Sequence, residues 1–271
     1  MTKFLIGLVV AYVAIVIGAY LLQDDLLYHP SHQPLPNPAT LAPAYQAIPL
    51  TTQDGLQLTA WYAPAKAGKP TLFEMHGNAE NLHDRLQLAQ PYLNAGWGVF
   101  LLGYRGFADN PGKITEQGLY LDAAAGWNYL DQHQVSNQCI VLYGKSLGTG
   151  VAVQTALTHH AAALVLQSPY TSIPAVAEAH YPFLPIKWLL KSQYNSLAKI
   201  KAVHLPLLIV HGDKDHLIPI KFGEILFMAA NSPKQFILFP GVGHESWNYQ
   251  QLGAAVIPWA MQYTEACQPT P

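Results

Sequence analysis

Length, composition and charge narrow the functions open to this chain. Its 271 residues are 51% hydrophobic and 11% charged, so the chain can bury a sizeable core. A formal net charge of -2 at pH 7 and the lack of any Lys/Arg-rich run disfavour a nucleic-acid partner.

The first predicted element is an N-terminal membrane anchor, residues 1–25. Residues 4–22 carry no charge, and at about 1.5 Å per residue they nearly span a hydrocarbon core of about 30 Å. A cleaved signal peptide is the alternative, but its apolar region is typically only about 7 to 15 residues long. Lys3 precedes the run, and Asp24 and Asp25 follow it. This charge order favours a domain on the non-cytoplasmic side, periplasmic in a bacterium.

A proline-rich linker or strap, residues 26–43, is expected to connect the anchor to the main domain, residues 44–265. The domain begins with a predicted hairpin. Residues 44–51 and 56–62 form its strands, and Asp54-Gly55 forms the turn.

Strands and helices then alternate in sequence. The run 71–75 is a predicted strand that leads into His76-Gly77-Asn78, residues 82–93 have helical spacing, and 99–102 is the next strand. Thr115 is expected to cap the helix that follows. This alternation predicts an α/β fold with a mostly parallel central sheet and helices on both faces.

The segment Gly144-Lys145-Ser146-Leu147-Gly148 is a Gly-x-Ser-x-Gly motif between a predicted strand, 139–143, and a predicted helix, 151–157. A strand that turns at once into a helix presents the serine on a tight corner. Gly-Lys-Ser also ends a phosphate-binding P-loop, but that loop requires a glycine where Cys139 stands. Nucleotide binding is therefore disfavoured.

The two cysteines, Cys139 and Cys267, are too few for a disulfide framework. Cys139 falls in a predicted core strand, where an inert buried thiol is the ordinary outcome. The cysteines therefore give no prediction of the cellular compartment.

The second half of the chain resumes the alternation after one interruption. Strands are predicted at 163–166, 207–211 and 235–239, and the chain ends in a helix and a short tail, residues 266–271. Between the first two of these strands, residues 169–203 are rich in proline and aromatic residues. They resemble a small cap over a pocket.

A nucleophilic serine needs a histidine base, and the base needs a carboxylate that orients it. Two later strands are followed by His211-Gly212-Asp213-Lys214-Asp215 and by a glycine loop that contains His244. His244 is the favoured base, and His211 is expected to be structural. From the spacing alone, Asp213 and Asp215 both remain candidates for the acid.

Acyl transfer also requires donors for the developing oxyanion. In a fold of this kind they are two backbone amides, one after the nucleophile and one in the loop after the third strand, here Leu147 and Asn78. The sequence has neither an HExxH nor a paired CxxC motif, so we expect no metal and no cofactor.

The sequence resembles the α/β-hydrolase-fold serine hydrolases that have an N-terminal membrane anchor, a group related to protein depalmitoylases, lysophospholipases and monoacylglycerol lipases. The resemblance covers residues 26–263. It rests on seven motifs in one order: Leu27-Tyr28-His29-Pro30, His76-Gly77-Asn78-Ala79, Tyr104-Arg105-Gly106-Phe107, Gly144-Lys145-Ser146-Leu147-Gly148, Ser168-Pro169-Tyr170-Thr171-Ser172, His211-Gly212-Asp213-Lys214-Asp215 with Ile218-Pro219, and Gly243-His244.

The resemblance implies an α/β-hydrolase fold and a site without cofactor. In that family the triad acid is the last residue of His-Gly-x-x-Asp, which falls on Asp215. The catalytic set it implies is therefore Ser146, Asp215 and His244, with the amides of Asn78 and Leu147 as oxyanion donors.

The sequence thus predicts a membrane-anchored serine hydrolase that cleaves carboxylic esters or thioesters through an acyl-Ser146 intermediate. A lipid-like substrate is expected, since the anchor holds the domain at a bilayer and the cap carries aromatic residues. Two alternatives remain open: an amidase or peptidase that uses the same triad, and a non-catalytic, membrane-tethered binding protein.

Overall fold

The computed structural model of the protein describes residues 1–264 and residue 267. The predicted tail, residues 266–271, lies outside the described residues except for Cys267.

Within the described residues, eight strands form one sheet. Their bounds are β1 (Gln46–Thr51), β2 (Gln57–Ala63), β3 (Thr71–Met75), β4 (Gly98–Leu101), β5 (Ile140–Lys145), β6 (Ala163–Gln167), β7 (Leu207–Gly212) and β8 (Lys234–Phe239). The α-helices of the same residues are α1 (Thr2–Leu21), α2 (Gln23–Leu27), α3 (Pro38–Leu41), α4 (Leu86–Asn94), α5 (Glu116–Gln132), α6 (Leu147–Thr158), α7 (Ile173–His180), α8 (Ile186–Leu189), α9 (Ser196–Lys199), α10 (Lys221–Ala229) and α11 (Tyr249–Met261).

The strand order across the sheet is β1-β2-β4-β3-β5-β6-β7-β8. Strand β2 runs antiparallel to both of its neighbours, and every pair from β4 to β8 is parallel. This topology confirms the expected α/β-hydrolase fold. Because β3, β5, β7 and β8 point the same way, the loops at their carboxyl ends meet along one edge, which we call the catalytic edge.

Each face of the sheet contributes to a separate hydrophobic core. Successive residues of a strand point to opposite faces, so Phe73 and Leu142 lie in one core while Leu72 and Val141 lie in the other. Residues of α5, α6 and α10 pack in the first core, and residues of α4 and α11 pack in the second. Covered on both faces, β3, β5, β6 and β7 consist entirely of buried residues.

The helix predicted from residue 82 begins later, at Leu86. Residues 81–84 form hydrogen-bonded turns, in which Asp84 accepts from the amide of Asn81 at 2.9 Å and Asn81 accepts from the amide of His83 at 2.9 Å. Short polar side chains of this kind compete with helical hydrogen bonds. The predicted helix start is therefore wrong, although the helix itself is present.

The prediction for Cys139 is also wrong. Cys139 ends a single 3₁₀ turn, Asn137–Cys139, just before β5, and its sulfur is bonded to that of Cys267, which lies 128 residues away in the sequence. The bond ties the C-terminal end of the chain to the amino end of β5. Cys139 is therefore not a free thiol in a core strand.

The N-terminal helix α1 is long and apolar enough to cross a bilayer, with 20 residues and a mean hydropathy of 2.6. None of its residues is buried by the rest of the chain. It nevertheless lies beside the cap, since the Tyr12 hydroxyl donates to the carbonyl of Phe183 at 2.8 Å. Farther along, the amide of Lys191 donates to the Gln23 side chain at 2.7 Å.

The segment that follows α2 runs along the surface between two loops of the domain. The amide of Ala108 donates to the carbonyl of Ser31 at 2.6 Å, and the amide of Leu35 donates to Asp109 at 3.1 Å. The same segment also holds the loop after β3, as described below.

Candidate active site

Ser146 occupies the corner between β5 and α6. Its φ of +52° and ψ of -122° lie in a region that residues with a side chain rarely adopt. The corner is tight: a Cβ atom at position 144 would lie 2.5 Å from the carbonyl oxygen of Gly148, and one at position 148 would overlap the carbonyl of Met75. Both glycines are thus required for the serine to stand on this turn.

His244 lies between Ser146 and Asp215. The Nε2 atom of His244 is 2.9 Å from the Ser146 hydroxyl, and its Nδ1 atom is 2.7 Å from Oδ2 of Asp215. All three side chains are buried. The structure therefore brings together the three residues predicted as the triad, which come from the loops after β5, β7 and β8.

The two candidate aspartates have different surroundings. The other oxygen of Asp215 accepts from the amide of Ile218 at 2.8 Å. Burial opposes ionisation of Asp215, but its contacts with His244 and its hydrogen bond from the amide of Ile218 together outweigh burial and hold the pKa of Asp215 below its ordinary value. Asp213 is exposed and accepts from the amide of Gly241 at 2.7 Å. Asp213 ties two loops together, and only Asp215 contacts His244.

His211, the second histidine of this region, lies behind the acid. It is fully buried, its Nε2 atom is 2.8 Å from the carbonyl oxygen of Ile218, and it lies 3.7 Å from Asp215. Burial lowers the pKa of His211, so the ring is neutral at pH 7. Its contacts fix the turn that carries Asp215.

The amide of Leu147 and the loop that carries Asn78 both lie beside the serine. Leu147 follows Ser146 directly, and a Cβ atom at position 77 would lie 3.6 Å from that of Ser146. Within the described part of the chain, neither amide has a hydrogen-bond acceptor. Two free amides next to a nucleophile match the donors that an oxyanion requires.

The loop that carries Asn78 is held from the N-terminal side. The Asn78 side chain donates to the backbone carbonyl of Leu27 at 2.7 Å, and the backbone carbonyl of Asn78 accepts from the amide of His29 at 3.0 Å. The neighbouring His76 is buried against the rings of Tyr104 and Phe107. Burial lowers the pKa of His76 to about 4, so it is uncharged at neutral pH.

Sequence reasoning treated Lys145 as an arbitrary residue of the motif, yet its amine is buried and paired with Glu80 and Glu245. A lysine next to the serine in the sequence predicts a buried ion pair only when its carboxylate partners are known. Those partners lie 65 and 100 residues away in the sequence. Among the residues that the structure describes, no cluster of histidine, cysteine or carboxylate side chains is arranged to hold a metal ion.

Comparisons with known proteins assign the chain to a family. Residues 67–198 match the family described as serine aminopeptidase S33. The Mycobacterium tuberculosis protein Rv2307c is 40% identical over 244 residues, which cover 87% of each chain. Protein bem46 of Schizosaccharomyces pombe is 30% identical over 230 residues, covering 79% of this chain and 75% of bem46.

A solved esterase, Pf2001 of Pyrococcus furiosus, has the same fold. It superposes with a TM-score of 0.69 at 19% identity, over 88% of this chain and 97% of the esterase. The identities with Rv2307c and bem46 extend over most of both proteins. The chain therefore belongs to the α/β-hydrolase family that includes Rv2307c and protein bem46.

Proposed function

We propose that the protein hydrolyses carboxylic esters or thioesters through an acyl-serine intermediate. The Ser146 hydroxyl attacks the carbonyl carbon while His244 accepts its proton. The amides of Asn78 and Leu147 bind the oxygen that becomes negative. His244 then gives the proton to the leaving alcohol or thiol. Water repeats the sequence on the acyl-enzyme and releases the carboxylic acid.

One observation carries this proposal. The two nitrogens of His244 lie 2.9 Å from the Ser146 hydroxyl and 2.7 Å from Asp215, so one ring contacts both the nucleophile and the acid. Hydrogen-bonding distances on both sides of the ring are what proton transfer from the serine requires.

Labelling with a fluorophosphonate tests the nucleophile directly. We expect the wild-type protein to become labelled at Ser146 and Ser146→Ala to remain unlabelled. Ser146→Ala and His244→Ala should each lower ester turnover by roughly 10⁶, and their effects should not add. A wild-type protein that is folded but not labelled would revive the reading of the chain as a binding protein.

A peptidase or amidase is the second candidate, and the name of the matching family supports it. The same triad cleaves amides when the pocket accepts them. Turnover of an ester and of the amide with the same acyl group separates the two candidates. The esterase proposal predicts that kcat/KM for the ester exceeds kcat/KM for the amide by far more than the intrinsic difference in reactivity between the two bonds.

A lipid-like substrate is supported by the aromatic surface of the cap, Tyr181, Phe183 and Trp188, which are 53%, 61% and 87% exposed. The carbonyl of Phe183 is hydrogen-bonded to Tyr12, near the middle of α1. This contact brings the aromatic surface beside the predicted anchor, and exposed apolar patches mark sites of membrane or protein contact. A panel of esters of graded chain length, in micelles and in solution, tests this substrate class.

A non-cytoplasmic location is supported by two features. Lys3 precedes the uncharged run, residues 4–22, and Asp24 follows it. The disulfide between Cys139 and Cys267 also fits an oxidising compartment. Alkylation of free thiols before cell lysis should leave both cysteines unmodified, and alkaline extraction should leave the protein in the membrane fraction. Modified cysteines would contradict this location.

A further inference from the structure

The amine of Lys145 joins two carboxylates beneath the candidate site. The Lys145 side chain is 1% exposed, and its Nζ atom donates to Glu80 at 2.6 Å and to Glu245 at 2.7 Å. Burial disfavours the charged amine, but the carboxylate of Glu80, together with Tyr249 and the hydrogen bond to Glu245, outweighs burial, and the pKa of Lys145 is raised above its ordinary value. Lys145 is therefore an ammonium ion at neutral pH.

Each member of this cluster lies next to a proposed catalytic group. Lys145 precedes Ser146, and Glu245 follows His244. Glu80 belongs to the loop of Asn78, and its second oxygen accepts from the amide of Gly77 at 3.0 Å. One ammonium thus connects the three loops that carry the nucleophile, the base and an oxyanion donor.

Glu80 is itself fixed to the sheet. Arg85 is fully buried and donates to Glu80 at 2.8 Å and to Glu74 of β3 at 2.8 Å. Burial raises the pKa of Glu80, but the charges of Arg85 and Lys145 outweigh it and hold this pKa at about 2. The Lys145–Glu80 pair is therefore charged and immobile. The Glu245 carboxylate, by contrast, is 69% exposed, so its contact with Lys145 is the weaker one.

We infer that Lys145 is a positioning residue for acyl transfer: it fixes the distances between the Ser146 hydroxyl, the His244 ring and the Asn78 amide. This inference rests on the proposed serine mechanism. Errors of about 1 Å in such distances cost roughly 10²-fold in rate, because the groups must be aligned in the transition state. Ground-state binding depends on the pocket and much less on this alignment.

The test compares Lys145→Met with the double variant Glu80→Gln/Lys145→Met. The single change removes one of the two cations paired with the mostly buried Glu80 carboxylate, and it can therefore impair folding. The double change removes both partners, and replacing a buried ion pair as a unit is often neutral for stability. We expect both variants to lose about 10²-fold in kcat on a soluble ester, with KM changed by less than about threefold. Rates are expressed per serine labelled by fluorophosphonate.

Three further variants sharpen the result. Lys145→Arg keeps the charge and should recover at least part of the lost kcat. Glu245→Gln removes the exposed contact with Lys145 and also the negative charge that lies 3.7 Å from Nε2 of His244, and it should cost roughly fivefold. Lys234→Met is the matched control: Lys234 lies at the opposite edge of the sheet, where its amine donates to the carbonyls of Phe227 and Ala230 at 2.7 Å. It should lower the melting temperature and leave kcat unchanged.

The outcomes are distinguishable. If the wild-type protein is labelled and active but the folded double variant keeps wild-type kcat, the inference about Lys145 is wrong and the proposed function stands. A loss confined to KM would also overturn it. If the folded wild-type protein is neither labelled nor active, the proposed function fails, and the role of Lys145 fails with it.

Discussion

The catalytic edge and the cap depart from ordinary burial in opposite directions. At the catalytic edge, charged side chains are buried: Lys145 and Arg85 are at most 1% exposed. In the cap, aromatic side chains are exposed, and Trp188 reaches 87%. A soluble domain normally shows the reverse of both patterns.

The two regions differ in whether their unusual side chains have partners within the chain. The two buried cations of the catalytic edge, Lys145 and Arg85, each have a carboxylate within 3 Å, so their desolvation is offset inside the chain. The cap aromatics Phe183 and Trp188 lack such cover. Exposed apolar clusters mark surfaces that meet another apolar phase. The first region pairs its charges within the chain, whereas the second leaves apolar side chains exposed to whatever lies outside it.

Replacement of the acid should have a large effect at the catalytic edge, smaller only than replacement of the serine or the histidine. Asp215→Asn keeps an oxygen for the Ile218 amide but no longer holds the His244 ring in the required tautomer. We expect kcat to fall roughly 10⁴-fold, as in other serine triads. Steady-state turnover of a soluble ester measures this.

Asp213→Asn is the matched control for that change. Asp213 is exposed, and an asparagine oxygen can still accept from Gly241. We expect kcat within about twofold of wild type. A larger loss for Asp213→Asn than for Asp215→Asn would move the acid role to Asp213.

The segment after α2 links the two regions, and Asn78 tests that link. Asn78→Ala retains the backbone amide proposed as an oxyanion donor but removes the side-chain hydrogen bond to the carbonyl of Leu27. We expect a loss on the order of 10² in kcat, comparable to that of a displaced oxyanion donor. The control Asn37→Ala removes a similar bond, to the amide of Ala39 in the same segment, and should not change kcat. Equal rates in both variants would contradict a role for this segment in the site.

A smaller effect is expected at the cap. Phe183→Ser combined with Trp188→Ser should lower kcat/KM roughly tenfold or more on a long-chain ester in vesicles, since each aromatic contributes about 1.5 to 3 kcal/mol on leaving water. Turnover of a short soluble ester should not change. Met228→Ser, an equally exposed apolar position on α10, is the control. A parallel loss on both substrates would show damage to the site and not to a membrane contact.

The sequence predicts the catalytic edge far better than the contacts beneath it. Ser146 and His244 stand in loops after apolar strands, and parallel strands bring their carboxyl ends together, so local patterns are sufficient to predict that they meet. The choice of Asp215 over Asp213 depends on the family resemblance, because the spacing allows either. The Lys145 cluster and the disulfide of Cys139 join residues that are 65 to 128 positions apart. The spacing of apolar residues within one helix or strand gives no information about pairings over such distances. For the same reason the composition of residues 169–203 sets them apart from the rest of the domain, whereas the contact of this segment with Tyr12 could not be predicted.

The smallest effect concerns stability in acid, and it tests whether the buried charges are as well paired as their distances indicate. The pKa of Glu80 is about 2 in the folded protein, against an ordinary value of 4.5. A depressed pKa contributes stability that is present above pH 4.5 and is lost as the pH falls through about 2. Wild type should therefore lose stability over this interval more steeply than Glu80→Gln, which has no proton to gain.

Urea unfolding midpoints at a series of pH values measure this slope. The difference corresponds to at most about 3 kcal/mol, because Lys145 and Arg85 keep other partners when Glu80 is neutral. Asp131→Asn, an exposed carboxylate on α5, should follow the wild-type curve. If Glu80→Gln has the same acid slope as wild type, the Glu80 carboxylate is not held by its two cations. The catalytic edge would then resemble the cap in needing a partner from outside the chain.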